Sequence, residues 1–253
     1  MRRAILISLL LSLFTTPVIW AQEQKVQFAF SMVKIDSVFD AAPPTKVTKL
    51  MEHYRPEMER RMMTVVGFAP QEMRSFRPES PLSNFAADAL LHIAQQYTQT
   101  PIDFSITNFG GLRASFPKGE VKLYDVYAVF PFENTMVILE MEGKDVQELF
   151  NNFARRNRVE AIGNVRAEIS NGAIRQLTIA GQPFDVNKRY KVATIDFLLG
   201  GGDSVSALKN AVSVEDTGIM IRDVVLQYIK MLSSEGKEVA APIDGRIKIL
   251  ENN

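Results

Sequence analysis

The chain has 253 residues, with 29 basic and 29 acidic side chains and no cysteine. A balanced charge excludes bulk attraction to nucleic acid or to anionic lipid. The missing cysteines exclude disulfides, thiolate metal sites and cysteine nucleophiles, so a fold must rest on the 46% of residues that are hydrophobic.

The N-terminus reads as a targeting segment. Arg2 and Arg3 precede an apolar run from Ala4 to Phe14, and Ile19-Trp20-Ala21 ends on a small residue. This is the pattern of a secretory signal peptide over residues 1–21, cleaved after Ala21. The run is short for a membrane span. The expected product is exported, periplasmic or secreted, and free of the membrane after cleavage. No cysteine follows the run, which excludes a lipid anchor at that position. Residues 22–44 end in Ala41-Ala42-Pro43-Pro44 and read as an extended arm or linker.

One domain is expected over residues 45–253. Leu50, Met51, Tyr54 and Met58 fall at helical spacing between Lys46 and Met62, which predicts an amphipathic helix. Thr64 to Phe68 predicts a short strand. A polar loop with Arg74 and Arg77 follows. Ser80 and Pro81 are an N-cap and a first-turn proline. Leu82, Phe85, Ala86, Ala89, Leu90 and Ile93 then mark one buried helical face. Ile102, Phe104 and Ile106 alternate as in a strand that runs into Asn108-Phe109-Gly110-Gly111-Leu112-Arg113.

A short helix is expected from Leu123 to Val129, broken at Pro131-Phe132. Thr135 to Met141 predicts a strand. Lys144 to Arg155 predicts a helix with Val146, Leu149, Phe150 and Phe153 inward. Val165, Ala167 and Ile169 alternate up to Ser170-Asn171-Gly172, a hairpin turn, and Ile174 to Ile179 returns. Tyr190 to Ile195 predicts a strand that leads to Phe197 and Gly200-Gly201-Gly202-Asp203. Ile219 to Leu232 predicts a helix, and Ile243 to Leu250 a last strand. Strands and helices mix without strict alternation, so the fold class is α+β with a mixed sheet.

No self-sufficient catalytic centre is visible. His53 and His92 are the two histidines, and neither has a partner at metal-ligand spacing. A Gly-x-Ser-x-Gly elbow and a phosphate-binding Walker loop are both missing. No catalytic residue and no metal ligand is therefore assigned.

Two glycine-rich loops do carry ligand-type chemistry. Asn108 precedes one pair of glycines and Arg113 follows it. Phe197 precedes three glycines and Asp203 follows them. Glycine lets a ligand approach the backbone. Phe132 and Phe197 are rings at rigid element ends, suited to stacking on a base. A carboxylate such as Asp203 can accept ribose hydroxyls, an asparagine can meet a base edge, and arginines clamp phosphate. The same loops also fit two tight turns with solvated side chains, and spacing alone does not decide.

Five ordered blocks resemble the C-terminal domain of the 5′-nucleotidases over roughly Val65 to Leu250. They are Glu79-Ser80-Pro81-Leu82-Ser83-Asn84 with Ala87-Asp88-Ala89; Ile106 to Arg113; Val129-Phe130-Pro131-Phe132-Glu133-Asn134; Val192 to Phe197 with Gly201-Gly202-Asp203; and Asp244-Gly245-Arg246-Ile247. The resemblance implies mixed sheets packed between helical layers. It implies that Phe132 and Phe197 sandwich a nucleobase, that Asn108 approaches the base, and that Asp203 holds the ribose hydroxyls. Arg113, and Arg77 less firmly aligned, would lie near sugar and phosphate. The helix from Lys46 to Met62 is similar to the one that joins the two domains of full-length members.

Those members also carry a metallophosphatase domain whose divalent metals activate water. About forty residues precede the helix here, and they contain no histidine. The implied role is the nucleotide- or nucleoside-binding part of a hydrolase system, inactive alone, with the metal held by a separately encoded metallophosphatase chain. A stand-alone binding module and a non-catalytic interaction protein are the alternatives. Base preference, and the choice among mononucleotide, cyclic nucleotide and nucleotide sugar, stay open at this point.

Overall fold

The computed structural model describes residues 28–37 and 45–250. The expected signal peptide and most of the expected arm lie outside the described residues. From Leu50 onward the chain forms one compact unit. Among the described residues no helix is long and apolar enough to cross a membrane.

Helix α1 spans Lys46–Met62 as expected, but none of its residues is buried. Leu50, Met51, Tyr54 and Met58, the stripe that predicted it, are more than half exposed. The helix forms over the expected span, and its apolar stripe stays exposed.

The core is a five-stranded sheet. Strands β2 (Phe104–Thr107), β4 (Thr135–Glu142), β5 (Ala161–Gly163), β9 (Arg189–Ile195) and β10 (Ser213–Met220) lie in the order β10-β4-β9-β2-β5. Strands β2 and β9 are parallel, while β4 and β5 run antiparallel to them. All four residues of β2 are buried. The apolar alternation around Ile102, Phe104 and Ile106 is real, but Ser105 and Thr107 are covered as well. The reason is a helix on each face. Ser105 Oγ donates to the Ala87 carbonyl of helix α2 (Pro81–Thr98) at 2.6 Å. The neighbouring Phe104 meets the Phe150 ring of helix α4 (Gly143–Arg156) at 6.0 Å. Successive strand residues point to opposite faces, so α2 and α4 flank the sheet.

The start of α2 follows its sequence signals. Ser80 Oγ accepts from the Ser83 amide at 3.1 Å, and the Ser80 amide donates back to Ser83 Oγ at 2.9 Å. This reciprocal cap satisfies two orphan donors. The predicted stripe from Leu82 to Ile93 is buried. Helix α4 likewise buries Val146, Leu149, Phe150 and Phe153. The short helix α3 (Leu123–Val129) forms where expected.

Two smaller sheets complete the unit. Strands β1 (Val65–Ala69) and β3 (Gly119–Lys122) pair antiparallel. Strands β6 (Val165–Ser170), β7 (Ala173–Ile179), β8 (Gln182–Pro183) and β11 (Ile247–Leu250) lie in the order β11-β6-β7-β8. Asn171 and Gly172 both adopt positive φ at the β6–β7 turn, as a two-residue hairpin of this kind requires. With β11 parallel to β6, the architecture is α+β with mixed sheets.

Two boundaries differ from expectation. The last helix, α6, is Ile221–Ser234, because Ile219 and Met220 still belong to β10. Strand β11 begins at Ile247 and not at Ile243. Gly245 turns the chain at φ 71°, and Arg246 is held by side-chain bonds before the ladder starts.

Those bonds form a polar knot between α2 and the end of the chain. Arg246 is 7% exposed. Its Nη1 and Nη2 donate to the two oxygens of Asp88 at 2.8 and 3.1 Å, and its Nε donates to Asp244 at 3.1 Å. Glu79 Oε1 accepts from Asn84 Nδ2 and from the Asp244 amide, both at 2.7 Å. Burial works to raise the Asp244 pKa. The hydrogen bond and charge of Arg246, with smaller help from Glu79 and Arg166, outweigh it and hold the carboxyl below its usual range. A carboxyl lowered by folding contributes stability at neutral pH that is lost as pH falls through the folded pKa. Arg246→Leu should cost about 3 kcal/mol, the low end for breaking a buried pair because Asp88 keeps some water contact. Denaturant unfolding at pH 7 and at acid pH checks this. Wild type should lose stability faster than the variant on acidification, because the variant no longer depresses the Asp244 pKa.

Candidate functional site

Four chain segments converge at one end of the central sheet, and the strand register explains why. Strands β2 and β9 are parallel neighbours, with Phe104 opposite Val192 and Ser105 opposite Ala193. Their C-terminal ends therefore lie side by side. Each runs into a glycine-rich loop. Strand β5 is antiparallel to β2, with Ala161 opposite Thr107. That register brings Glu160 beside Asn108. Strand β4 is antiparallel to β9, with Met136 opposite Ile195, so the segment from Phe132 to Asn134 enters at the same end. Crevices outside the carboxyl ends of parallel strands are common ligand sites in open sheets.

The two glycine loops are joined by their predicted polar residues. Asn108 Nδ2 donates to Asp203 Oδ2 at 2.7 Å. An amide nitrogen must face the carboxylate here, since an amide oxygen would be repelled. Asn108 is buried, and among the described residues no protein donor reaches its Oδ1. A Cβ on Gly111 would stand 2.6 Å from that oxygen, so glycine is required for Asn108 to hold this pose.

Asp203 sits in a strained turn. Its φ and ψ are 50° and 24°, and Ser204 also has positive φ. Left-handed backbone at two non-glycine residues costs on the order of 1 kcal/mol each and persists only where neighbours enforce it. Arg156 Nη1 donates to the Asp203 carbonyl at 2.9 Å and so clamps the turn.

The two predicted rings are both half-exposed, Phe132 at 46% and Phe197 at 43%. Many of the other phenylalanines, among them Phe85, Phe104, Phe116, Phe130, Phe150 and Phe153, are core residues. Phe197 lies in the single helical turn α5 (Asp196–Leu199) after β9. Its ring covers Gly202, where any Cβ would overlap it. Phe132 lines a narrow crevice with Thr107, Asn108, Leu112, Asn134 and Ile195. Among the described residues no ring contact joins Phe132 to Phe197.

The predicted arginines divide. Arg113 is exposed, with its guanidinium 5.9 Å from the Phe132 ring centroid. Arg77 is committed elsewhere. Its Nη2 donates to both oxygens of Glu160 at 2.9 and 3.1 Å, its Nη1 donates to the Val159 carbonyl, and its guanidinium lies over the Phe109 ring at 4.3 Å.

Sequence reasoning passed over the residues behind this arrangement. The Glu160 side chain is fully buried and accepts from the Phe109 amide at 2.8 Å. Burial raises its carboxyl above the usual range, against the pull of the Phe109 amide and Arg77; the charge of Asp203 adds to the rise. Both oxygens face donors, the arrangement of an ionised carboxylate. Arg158 lies between two acids, 3.7 Å from Glu160 and 4.0 Å from Asp203. A run of Arg155, Arg156 and Arg158 closing a helix reads in sequence as a solvated C-terminus. Its inward members show only in three dimensions. Asn134 was visible in the block after Phe132 and lines the same crevice.

Among the described residues no group of three His, Cys, Asp or Glu side chains could hold a metal ion. The arrangement can bind and orient a polar ligand with an aromatic face. Gly111→Ala should break the Asn108–Asp203 bond and cost about 1–3 kcal/mol through overpacking. Thermal unfolding checks this, and a variant as stable as wild type would show that Asn108 does not need the space.

The comparisons agree with this architecture. The chain is 31% identical over 156 residues to Protein UshA of Escherichia coli, across 60% of this chain and 28% of that protein. It is 27% identical over 248 residues to the trifunctional nucleotide phosphoesterase protein YfkN of Bacillus subtilis, across 86% of this chain and 16% of that one. The crystal structure of the 5′-nucleotidase precursor from Thermus thermophilus superposes with a TM-score of 0.69 at 27% identity, over 85% of this chain and 45% of that chain. The chain thus spans less than half the length of each of these relatives. Residues 64–210 match the family described as 5′-nucleotidase, C-terminal domain. That match covers more than half the chain and includes both glycine loops and both exposed rings, and by it the chain belongs to the 5′-nucleotidase C-terminal domain family.

Proposed function

We propose that this chain is the nucleotide- or nucleoside-binding component of a 5′-nucleotidase-type hydrolase system outside the cytoplasm. The observation that carries the reading is the Asn108–Asp203 bond, which fixes a carboxylate at the strand ends near two half-exposed rings. Phe132 and Phe197 would hold the base between them. Asp203 would accept the ribose hydroxyls. Asn108, at the crevice that Phe132 lines, would approach the base edge and hold Asp203 in place. Arg113, exposed and 5.9 Å from the Phe132 ring centroid, would meet phosphate. Arg77 would act indirectly, since Glu160 and Phe109 occupy its guanidinium.

Hydrolysis would fall to a separately encoded metallophosphatase chain carrying the divalent metal. Such a metal activates water and stabilises charge on the phosphoryl group. The residues of this chain would bind and orient the substrate. Membership of the 5′-nucleotidase C-terminal domain family supports the binding role, and the absence of any group of His, Cys, Asp or Glu fit for a metal among the described residues fits a metal held elsewhere. Export is supported by the N-terminal pattern and by 27% identity over 232 residues to a protein named cell wall protein Lmo0130 of Listeria monocytogenes, across 81% of this chain and 29% of that one.

Two measurements test the reading. Titration calorimetry of adenosine and AMP should show binding to wild type. Phe132→Ala/Phe197→Ala should weaken it at least about tenfold, since stacking contributes roughly 1–3 kcal/mol per base. Binding unchanged in the double variant would refute the ring sandwich. AMP with added Zn²⁺ or Mn²⁺ should not turn over on the purified chain. Robust phosphate release would refute the need for a partner.

A further inference from the structure

Glu160 is a fully buried carboxylate that the binding roles above do not use. A buried charge persists only where paired and hydrogen-bonded, and Glu160 meets that condition from three sides. The Phe109 amide fixes it to the first glycine loop at 2.8 Å. Arg77 covers both its oxygens. Arg158, half-exposed, lies 3.7 Å away and turns its other end toward Asp203 Oδ1 at 4.0 Å. The other Asp203 oxygen is already taken by Asn108, the residue before Phe109. The links thus close a ring: Glu160 to Phe109, along the chain to Asn108, across to Asp203, and back through Arg158.

We propose that Glu160 is a positioning residue that couples the two glycine loops and presents Asp203 to the ligand in one fixed pose. The inference rests on the reading of Asp203 as the ribose-binding group, but the coupling itself is a property of the ligand-free chain. Asp203 lies on left-handed backbone, so its carboxylate position depends on what holds the loop. Asn108 holds one oxygen from the first loop, and Glu160 holds that loop. Arg158 faces the second oxygen, and Glu160 balances the charge of Arg158. Loss of the Glu160 charge would leave Arg77 without its carboxylate and Arg158 with Asp203 as its one acidic partner, drawing Arg158 onto the oxygen that a ribose hydroxyl would take.

Amide hydrogen exchange tests the coupling without any ligand. In Glu160→Gln, exchange should quicken at Leu112, which closes the first loop onto Phe109, and at Val205, which closes the second onto Gly202. The expected change is about tenfold at each, while Val137 and Thr194 in the central sheet stay unchanged. Arg158→Ala, at a half-exposed position, should quicken Val205 alone. Unchanged exchange at Val205 in both variants would overturn the proposal. Equal acceleration in loops and sheet would also overturn it, by showing that Glu160 only supports the fold.

Adenosine titration then separates this inference from the functional reading. Glu160→Gln should weaken binding about tenfold in wild type and about tenfold in Phe197→Ala, but less than about twofold in Asp203→Asn, because coupled residues are not additive. Equal losses in all three backgrounds would overturn the positioning role. No adenosine binding by wild type would refute the functional reading, and the exchange result would still decide the coupling.

Discussion

The parallel pairing of β2 and β9 is the constraint on which the rest of the site depends. With Phe104 opposite Val192 and Ser105 opposite Ala193, two loops more than ninety residues apart leave the sheet side by side. The pairing is buried on both faces, by α2 through Ser105 and by α4 through Phe104. A one-residue slip would turn Phe104 away from Phe150 and Ser105 away from its carbonyl, so the register is strongly specified. Antiparallel strands on each side then deliver Glu160 and Phe132 to the same end. The sheet supplies placement, and the loops supply chemistry.

The loops are anchored by the buried Leu112, Leu198 and Val205, and polar contacts fix the Asp203 turn. Asn108, Arg156 and Arg158 all act on Asp203, through its side chain, its carbonyl and its charge. This fits a residue in a sparsely populated backbone region, which its neighbours must enforce. Preorganisation of this kind lowers the ordering cost of binding. Two glycines serve the same end by leaving room, Gly111 for the Asn108 amide and Gly202 for the Phe197 ring.

Much of the fold was legible because its signals are local. The Ser80-Pro81 cap, the Leu82 to Ile93 stripe, the Asn171-Gly172 turn and the inward face of α4 each follow from neighbouring residues. The edge strand β10 was missed because its residues are mostly exposed and carry no alternation. Strands β3 and β5 are too short to show a period. The stripe of α1 shows what periodicity leaves open, since it predicts a helix and not what covers it. Of the five sequence blocks, three supply the loops and rings of the site. The other two, around Glu79 to Asp88 and Asp244 to Arg246, build the buried knot that ties α2 to β11. Sequence could not separate these uses. Nor could it find Glu160, whose partners Arg77 and Phe109 lie far away in the chain.

The proposed nucleoside site at the end of the β2–β9 pair is read by two rings and one held carboxylate. A crystal structure of the chain grown with adenosine tests it most directly. The base should lie between Phe132 and Phe197 with the ribose hydroxyls on Asp203, and Arg77 should still lie on Glu160. Adenosine bound elsewhere, or bound here with Asp203 turned away from the sugar, would contradict it.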